Sequence, residues 1–285
     1  MWKMYPVAFR LMTPLHSGQM KLGNVQRTRH YVTGKMLWGA LTERMTRDNP
    51  ESNGNYHIVG DCIKDKLAFS YFYPSISPSP DAVDIWPWGD QVEDFAWRYL
   101  NTYASTALNA TRSSAEEGSL HETEHIAPVT REGKQVYLVG FIFEKEGSNL
   151  NWRKALSDLQ MGGERTYGWG RVRLAEKPAD AAKSFWSGWG VAFDGDRPWL
   201  CAQGDKPTLY AHTEANKIVA KGRIEPLVGR GTTDANAHGQ NVQYRGVYFT
   251  PGSQIDTKQI DTKEINTEQT DKEIKLKIGD YGEWG

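Results

Sequence analysis

The segment KQVYLVGFIFE, residues 134 to 144, is apolar at nearly every position. Successive side chains of a strand point to opposite faces, so an unbroken apolar run indicates burial on both faces. One face takes Val136, Leu138, Gly140 and Ile142, and the other takes Tyr137, Val139, Phe141 and Phe143. The pattern predicts a central strand covered on both sides.

Two further elements lie nearer the N-terminus. In YPVAFRLMT, residues 5 to 13, Val7, Phe9 and Leu11 alternate with Ala8, Arg10 and Met12, which is typical of a half-buried strand. After a polar connection, Leu37, Ala40, Leu41, Arg44 and Met45 recur at helical spacing. We expect Thr33 to cap this helix and Asn49-Pro50 to end it.

The other segments are assigned more coarsely. We expect a surface loop over Pro74–Trp88, a helix over Glu93–Ala110, turns over Arg112–Gly118, an extended segment over His121–Pro128, a short helix over Leu150–Leu159, and a strand from Val172 to Leu174. The order of elements predicts an α+β fold, namely a ferredoxin-like or RRM-like domain that carries an insertion.

Pro178 to Ala182 is a candidate boundary, which divides the chain into domain 1–177 and a β-rich, possibly also RRM-like, domain 178–285. Short strands are predicted at Val191–Phe193, Trp199–Cys201, Thr208–Tyr210, Lys217–Arg223 and Ile274–Ile278. Between Ile255 and Gln269 a five-residue unit repeats three times, which indicates a solvated loop.

Composition narrows the class of protein. The chain is 39% hydrophobic, enough for a sizeable core, and its formal net charge is -1, so the whole molecule has no strong pull on nucleic acid. Cys62 and Cys201 support neither a disulfide framework nor a thiolate metal site. The absence of a long apolar run and of a signal-peptide pattern leads us to expect a cytoplasmic protein.

Charge is unevenly distributed along the chain. From Met1 to Arg47, the single acid Glu43 stands against the bases Lys3, Arg10, Lys21, Arg27, Arg29, Lys35, Arg44 and Arg47. A solvated surface explains such a run as well as a phosphate-binding surface does.

A glycine-rich segment follows the second short helix. Glycines at 162, 163, 168 and 170 allow positive backbone dihedrals, which can turn successive N–H groups toward one anion. Phosphate suits that geometry, with Arg165 and Arg171 adding charge and Tyr167 and Trp169 either stacking on a base or sealing the loop. The spacing is not that of a Walker loop. A tight turn at a sheet edge is the structural alternative.

Three phrases together resemble the RAMP superfamily of CRISPR-associated proteins. They are TPLHSG at Thr13 to Gly18, GKMLWGAL at Gly34 to Leu41, and GGERTYGWGRVRL at Gly162 to Leu174. Further along, Pro226 to Arg230 and Thr250 to Ser253 resemble subunits of type III effector complexes. The resemblance implies RRM-like folds with a glycine-rich loop before a late strand.

The resemblance also implies a role. RNA-cutting backbone subunits of type III complexes carry an aspartate between the first strand and first helix, and no Asp occurs from Pro14 to Arg47. The chain is therefore more similar to the non-catalytic cap subunit, which holds the five-prime repeat-derived tag of the guide RNA (crRNA) and contacts the large subunit. Other effector subunits, and target RNA indirectly, would be its partners, with no membrane and no cofactor.

The predicted RNA-binding residues combine the basic N-terminal segment, the glycine-rich segment and two later arginines. They are His16, Ser17, Gln19, Lys21, Arg27, Arg29, His30, Lys35, Gly162, Gly163, Arg165, Thr166, Tyr167, Gly168, Trp169, Gly170, Arg171, Arg230 and Arg245. We expect no metal, because alternation puts His121 and His125 on the opposite face from Glu122 and Glu124. We expect His238 to be exposed.

Alternatives remain open. One is a metal-independent endoribonuclease that matures the guide precursor, with His16 or His30 as general acid or base. Another is a backbone subunit that repeats along the guide. A third, from a different class, is a Trp-rich β-protein that binds carbohydrate, which would show clustered exposed tryptophans.

Overall fold

The computed structural model describes residues 1–80, 92–176, 178, 182, 184–231, 241–255 and 274–285, except for the side chains of residues 92, 93 and 230. Within these ranges the chain is a mixed α+β protein with many strands and few helices. The α-helices are α1 (Gly34–Asp48), α2 (Tyr56–Lys66), α3 (Val92–Tyr99) and α4 (Trp152–Ala155). None of them is long and apolar enough to cross a bilayer.

Strands of the first part form a central sheet and a second sheet beside it. The central sheet has the order β11-β12-β1-β10-β4, with β5 also paired to β10, and the second has the order β2-β3-β9-β6. Their bounds are β1 (Trp2–Leu11), β2 (Gly18–Leu22), β3 (Val25–Thr28), β4 (Leu67–Phe69), β5 (Tyr73–Ser75), β6 (Leu100–Ser105), β7 (Leu108–Asn109), β8 (Ser114–Ala115), β9 (His121–Ile126), β10 (Tyr137–Lys145), β11 (Leu159–Gln160) and β12 (Arg171–Leu174).

The later part of the chain is built from small antiparallel sheets. Its strands are β13 (Trp189–Ala192), β14 (Trp199–Ala202), β15 (Thr213–Glu214), β16 (Ala220–Lys221), β17 (Ile224–Gly231), β18 (Asn241–Phe249), β19 (Gln254–Ile255) and β20 (Lys275–Lys277). A long hairpin, β17–β18, contains a register shift between Pro226 and Val228. Gly246 on the opposite strand has φ 125°, a conformation that L side chains rarely adopt, and so accommodates this bulge.

The prediction for β10 is confirmed: it is a central strand with a buried core on each face. Leu138 and Ile142 belong to one core, which includes residues of α1, α2 and α4. Phe141 and Phe143 belong to another, which takes aromatic residues such as Trp186 from the later part of the chain. Because both cores share one sheet, the two parts of the chain are stabilised together.

Helix α1 begins and ends where the sequence predicts. The Thr33 hydroxyl accepts a hydrogen bond from the Met36 N–H at 3.4 Å, and Asn49 ends the helix before Pro50. Leu37 and Leu41 face the first core. Strand β1 also follows the predicted alternation, since Val7, Phe9 and Leu11 are buried in that core.

Arg197 ties the later part of the chain to the first. Its guanidinium donates hydrogen bonds to the carbonyl oxygens of Lys64 at 2.7 Å and Leu67 at 3.2 Å, at the end of α2. It also donates to the carbonyl oxygens of Ile278 and Gly279. One planar cation therefore satisfies the orphan carbonyls of a helix terminus and fixes the last segment against it.

The helix predicted over Glu93–Ala110 is wrong beyond Tyr99. Leu100 starts β6, which pairs along its whole length with β9. Thr102 and Tyr103 favour strands over helices, and a full antiparallel partner outweighed the local helical pattern. The helix predicted over Leu150–Leu159 is likewise reduced to α4, because Leu159 already pairs in β11.

In the later part, Thr208–Tyr210 is not a strand and forms only an isolated bridge from Thr208 to Gln254. Strand β16 covers just two of the residues predicted over Lys217–Arg223. The long strands β17 and β18 were missed, because proline and glycine interrupt their alternation. The Ile255–Gln269 repeat beyond Ile255, the Pro74–Trp88 loop beyond residue 80, and most of the Pro178–Ala182 boundary lie outside the described residues.

Replacing Phe141 by Ala should destabilise both parts of the chain together. The ring lies 4.8 Å from Trp186 and 5.0 Å from Phe185 between centroids, so its loss leaves a cavity in the shared core. We expect the free energy of unfolding to fall by about 3–5 kcal/mol in a single transition measured by urea denaturation. Leu108→Ala, at an exposed side chain, is the control and should change it by less than about 0.5 kcal/mol. Two separate transitions would contradict a shared core.

Candidate nucleic-acid interface

A cleft of about 450 Å³ opens where the glycine-rich segment, the start of α1 and the β17–β18 hairpin meet. Residues from separate parts of the sequence line it, and the final segment contributes Tyr281 and Glu283. The lining includes seven residues of the predicted set: Ser17, Arg29, Lys35, Gly162, Gly163, Arg165 and Arg245. The fold therefore brings part of the basic N-terminal segment to the glycine-rich segment, as the sequence suggested.

Two glycines of the segment are required by close backbone contacts. Gly162 has φ 82°, and a Cβ there would collide with the His16 carbonyl oxygen. Gly170 has φ 77°, and a Cβ there would collide with the Met161 carbonyl oxygen. Any larger residue would push the segment away from the cleft wall, so these glycines position it.

Most N–H groups of the segment bond within the protein. Donors to intramolecular acceptors are Met161, Gly163, Tyr167, Gly168, Trp169, Gly170 and Arg171. Among the described residues, the N–H groups of Gly162, Glu164, Arg165 and Thr166 have no acceptor. The predicted anion nest thus narrows to the 162–166 end of the segment, which is also the end that lines the cleft.

His16 lies buried beneath the glycine-rich segment. Its Nδ1 donates a hydrogen bond to the Glu124 carbonyl oxygen at 2.7 Å, and its own carbonyl oxygen accepts from the Gly163 N–H at 2.9 Å. The neighbouring Ser17 is also buried, and within the described residues its hydroxyl has no hydrogen-bond partner. Ser17 lines the cleft, so this hydroxyl is an unsatisfied polar group in the cleft wall.

Trp169 seals the other side of the segment. Its ring packs edge-on against His125, with centroids 4.9 Å apart, and against Tyr103 at 6.0 Å. Burial lowers the pKa of His125, so the imidazole is neutral at pH 7. Tyr167, at the tip of a 3-10 turn over Arg165–Tyr167, is 78% exposed. Of the two aromatic side chains, Trp169 is thus structural and Tyr167 is free to stack.

Arg29 is buried at the inner end of the cleft in a polar cluster. It forms an ion pair with Glu225 of β17, and the same carboxylate bonds to His212 Nε2 at 2.8 Å. His212 Nδ1 in turn accepts a hydrogen bond from the Tyr71 hydroxyl at 2.8 Å. The cluster joins the basic N-terminal segment to the hairpin and so fixes the distance between the cleft walls.

The pKa values within this cluster follow from burial and charge. Burial alone would raise the pKa of Glu225, but the hydrogen bond with His212 and the charge of Arg29 lower it to about 2. Burial alone would lower the pKa of Arg29, but Tyr31 and Glu225 raise it above its usual value. Burial lowers the pKa of His212. Arg29 and Glu225 are therefore charged at neutral pH, and His212 accepts the Tyr71 hydrogen bond as a neutral ring.

Other arginines of the predicted set are also paired with glutamates. Arg165 pairs with Glu43, and Arg245 pairs with Glu283 at 2.7 Å. Outside the cleft, Arg27 pairs with Glu124 at 3.2 Å. Since each guanidinium already has a carboxylate, the cleft is less cationic than the sequence implied.

Lys35 differs from these arginines. It stands in the first turn of α1, and among the described residues no carboxylate forms an ion pair with it. Burial, and then the charge of Arg245, lower its pKa. An anion in the cleft would stabilise the charged form of Lys35 and so oppose the effects of burial and of Arg245 on its pKa. Lys35 is therefore the cation best placed to bind an anion.

His30, one of the predicted RNA-binding residues, packs against α3. Its ring stacks on Phe95 with centroids 5.2 Å apart. Burial, with the charges of Arg27 and Arg223, lowers its pKa to about 4. At neutral pH His30 is therefore an uncharged packing residue.

Several predicted residues lie outside the cleft. Gln19 and Lys21 are exposed on β2, Thr166 is exposed within the glycine-rich segment, and Arg171 is exposed directly after it. The side chain of Arg230 and the whole of His238 lie outside the described residues. The described residues contain no group of three His, Cys, Asp or Glu side chains able to hold a metal ion.

Sequence reasoning missed Glu225, His212, Tyr71 and Tyr281. Of these four residues, Glu225 alone could have been noticed in the sequence, because it directly precedes the Pro226–Arg230 phrase. The others lie in loops, where no periodic pattern gives any indication of the cleft. Their roles depend on contacts between distant parts of the chain.

Replacing Arg29 by Met should lower the free energy of unfolding by about 3–5 kcal/mol, because Glu225 would stay partly buried without its partner. The double variant Arg29→Met/Glu225→Leu removes both charges and should recover most of that loss. Urea denaturation of the single and double variants gives the coupling energy. Additive losses would contradict a direct interaction.

No family model matches the chain, and no curated protein matches it in sequence. Several solved structures are similar to this chain. A chain of the type III-B Cmr-beta complex bound to cognate target RNA and AMPPnP aligns with 92% of this chain and 90% of its own length, at TM-score 0.50 and 9% identity. Chains of the Cmr-beta complex with cognate target RNA and in the apo state align with 60% of this chain and 96% of their own, both at 12% identity, with TM-scores of 0.43 and 0.42. At such identities the likeness establishes a common fold with the first of these chains.

Proposed function

We propose that this chain is a guide-RNA-binding subunit of a type III CRISPR effector ribonucleoprotein, acting in antiviral defence. It would hold the five-prime repeat-derived tag and contact the large subunit. The observation that carries the proposal is the cleft, in which the glycine-rich segment, Lys35 and the unpartnered Ser17 hydroxyl meet. The fold shared with a Cmr-beta chain over almost the full length supports it.

The sheet order supports the RRM-like part of the proposal. In the sheet, strands β12, β1, β10 and β4 are adjacent and antiparallel. Along the chain, α1 and α2 come between β1 and β4, and α4 comes between β10 and β12. Two strand-helix-strand units interleaved in one antiparallel sheet are the pattern of ferredoxin-like domains. The three phrases that resemble RAMP proteins fall at the end of β1, at the start of α1 and before β12.

The cleft suits recognition of a backbone more than of a base sequence. Among the described residues that line it, Lys35 has no ion-pair partner and several main-chain N–H groups of the 162–166 stretch have no acceptor, and both kinds of group can bind phosphate or ribose oxygens. The net charge of -1 gives little long-range attraction, so affinity would come from these fitted contacts. Base pairing between guide and target would supply sequence recognition.

We propose that the chain binds RNA without cutting it. A general base must reach the attacking hydroxyl, whereas the Nδ1 of His16 is occupied by the Glu124 carbonyl and its ring is buried against Gly163. His30 is stacked on Phe95. Both contacts favour the binding role over the maturing endoribonuclease.

The carbohydrate-binding alternative has less support. It requires a cluster of exposed tryptophans, and among the described tryptophans Trp97 alone has an exposed side chain. Four of the others, Trp2, Trp186, Trp189 and Trp284, pack in the second core. The alternative of a backbone subunit that repeats along the guide is distinguished from a cap subunit by its copy number, since a cap occurs once for each guide.

Lys35→Ala should weaken RNA binding. Losing one phosphate contact should lower the slope of log affinity against log salt by about 0.7 for a single strand. Filter binding with repeat-tag RNA at several salt concentrations measures both quantities. Lys3→Ala is the matched control and should bind the RNA as the wild type does. Lys3 is exposed near the first residue of β1 and does not line the first cleft. A wild-type protein that does not bind the tag RNA would refute the proposed function.

Precursor repeat RNA incubated with the wild-type protein and a metal chelator should stay intact. A maturing endoribonuclease that needs no metal would cut it once at a fixed site. Denaturing gel electrophoresis separates these outcomes. If a single cut appears and His16→Ala abolishes it while the variant keeps its thermal stability, the chain is the maturing enzyme.

A further inference from the structure

A second cleft of about 430 Å³ lies on the other side of the start of α1. Helices α1 and α2 and the inner face of the β17–β18 hairpin form its walls. It shares Lys35, Gly39 and Tyr281 with the first cleft, so the two clefts adjoin at these residues. Pockets for small ligands begin at about 300 Å³, so this space admits a nucleotide.

The walls of the second cleft combine aromatic rings with hydrogen-bonding side chains. Trp38, Tyr56 and Tyr281 supply the rings, and the Trp38 and Tyr281 centroids are 5.2 Å apart in an edge-on pair. Gln243 reaches the cleft from β18, and its amide can both donate to and accept from the edge of a base. Rings beside an amide suit a planar heterocycle with polar edges.

The junction between the clefts carries an excess positive charge. Lys35 Nζ lies 5.3 Å from the Tyr281 ring centroid, Lys64 Nζ lies 5.7 Å from it, and the Arg245 guanidinium carbon lies 4.5 Å from it. Asp61 forms an ion pair with Lys64 at 2.8 Å, and Glu283 forms one with Arg245 at 2.7 Å.

One cation therefore remains unbalanced. Among the described residues no carboxylate forms an ion pair with Lys35; burial and the charges of Arg245 and Lys64 lower its pKa, and the charge of Glu283 opposes them only in part. A bound anion at the junction would relieve this repulsion. One phosphate group between two nucleotide-sized spaces meets that requirement.

Gly39 lies where the two clefts adjoin. It lies in the middle of α1, where glycine is less favourable than most other residues. A Cβ built there would meet no atom within 4 Å, although both clefts border this residue. The packing of α1 therefore does not require glycine, and the missing side chain leaves open space where the clefts adjoin.

We propose that the second cleft binds one unpaired nucleotide of the RNA strand held in the first cleft. The phosphate that joins this nucleotide to the rest of the strand lies at Lys35. Its base lies beside Trp38 and Tyr281, and Gln243 hydrogen bonds to the base edge. This inference rests on the proposed function, because the strand must first occupy the cleft beside the glycine-rich segment.

Gly39→Leu tests the inference, because it fills the space where the clefts adjoin without an expected clash. Leucine is a better helix former than glycine, so the thermal unfolding midpoint should not fall. Affinity for repeat-tag RNA should fall about 10-fold, since one stacked base is lost. Gly39→Ala should bind more tightly than Gly39→Leu, because its methyl group leaves more of that space open. Ala115→Leu, on exposed β8 and outside both clefts, is the control for added bulk and should bind as the wild type does.

Removal of single bases from the RNA provides a second measurement. Abasic substitution at one position should weaken binding to the wild type about 10-fold and should have less effect on Gln243→Ala, which has already lost the contact with that base. Gln243 is exposed on β18, so this variant should fold.

The outcomes separate the two proposals. If the wild type does not bind the RNA, the proposed function fails and the inference fails with it. Suppose instead that the wild type binds the RNA and that Gly39→Leu is folded. If Gly39→Leu then binds the RNA as tightly as Ala115→Leu does, only the second-cleft inference is overturned. If Gly39→Leu does not fold, the abasic RNA series decides: equal losses for the wild type and Gln243→Ala overturn the inference.

Discussion

The structure depends on burying both faces of one sheet. Strand β10 places Leu138 and Ile142 on the side of the helices and Phe141 and Phe143 on the side of the later part of the chain. Apolar surface on each face is removed from water only when both layers are in place. The later part is consequently held against the sheet, and its β17–β18 hairpin reaches the glycine-rich segment to form the first cleft.

The Arg29–Glu225–His212 cluster sets the geometry of that cleft. Burying these groups is unfavourable unless each has a partner, and the ion pair and the two histidine hydrogen bonds provide the partners. The cluster cannot form with the hairpin displaced. It therefore selects one position of the hairpin relative to α1, with the cleft between them.

Ion pairs within the cleft limit its attraction for polyanions in general. Arg29, Arg165 and Arg245 are each held by a glutamate, so their contribution to long-range attraction is small. Lys35, the Ser17 hydroxyl and the free N–H groups near Gly162 remain for a ligand. Such a site favours a ligand that matches the positions of its few polar groups over any polyanion, which is consistent with the role proposed above.

The sequence by itself determined the local elements and the main candidates. Period-two alternation located β1 and β10, a capping threonine and a proline bounded α1, and glycine spacing marked the segment at 162–170. These signals arise between residues close in the chain, where backbone geometry fixes which side chains share a face. Only the tertiary structure decided the partners of Arg29, Arg165 and Arg245, the neutral role of His30, and the existence of the second cleft. Arg29 and Glu225 are 196 residues apart, and no periodic pattern links charges across that distance. Their pairing follows from how the sheet packs its two layers.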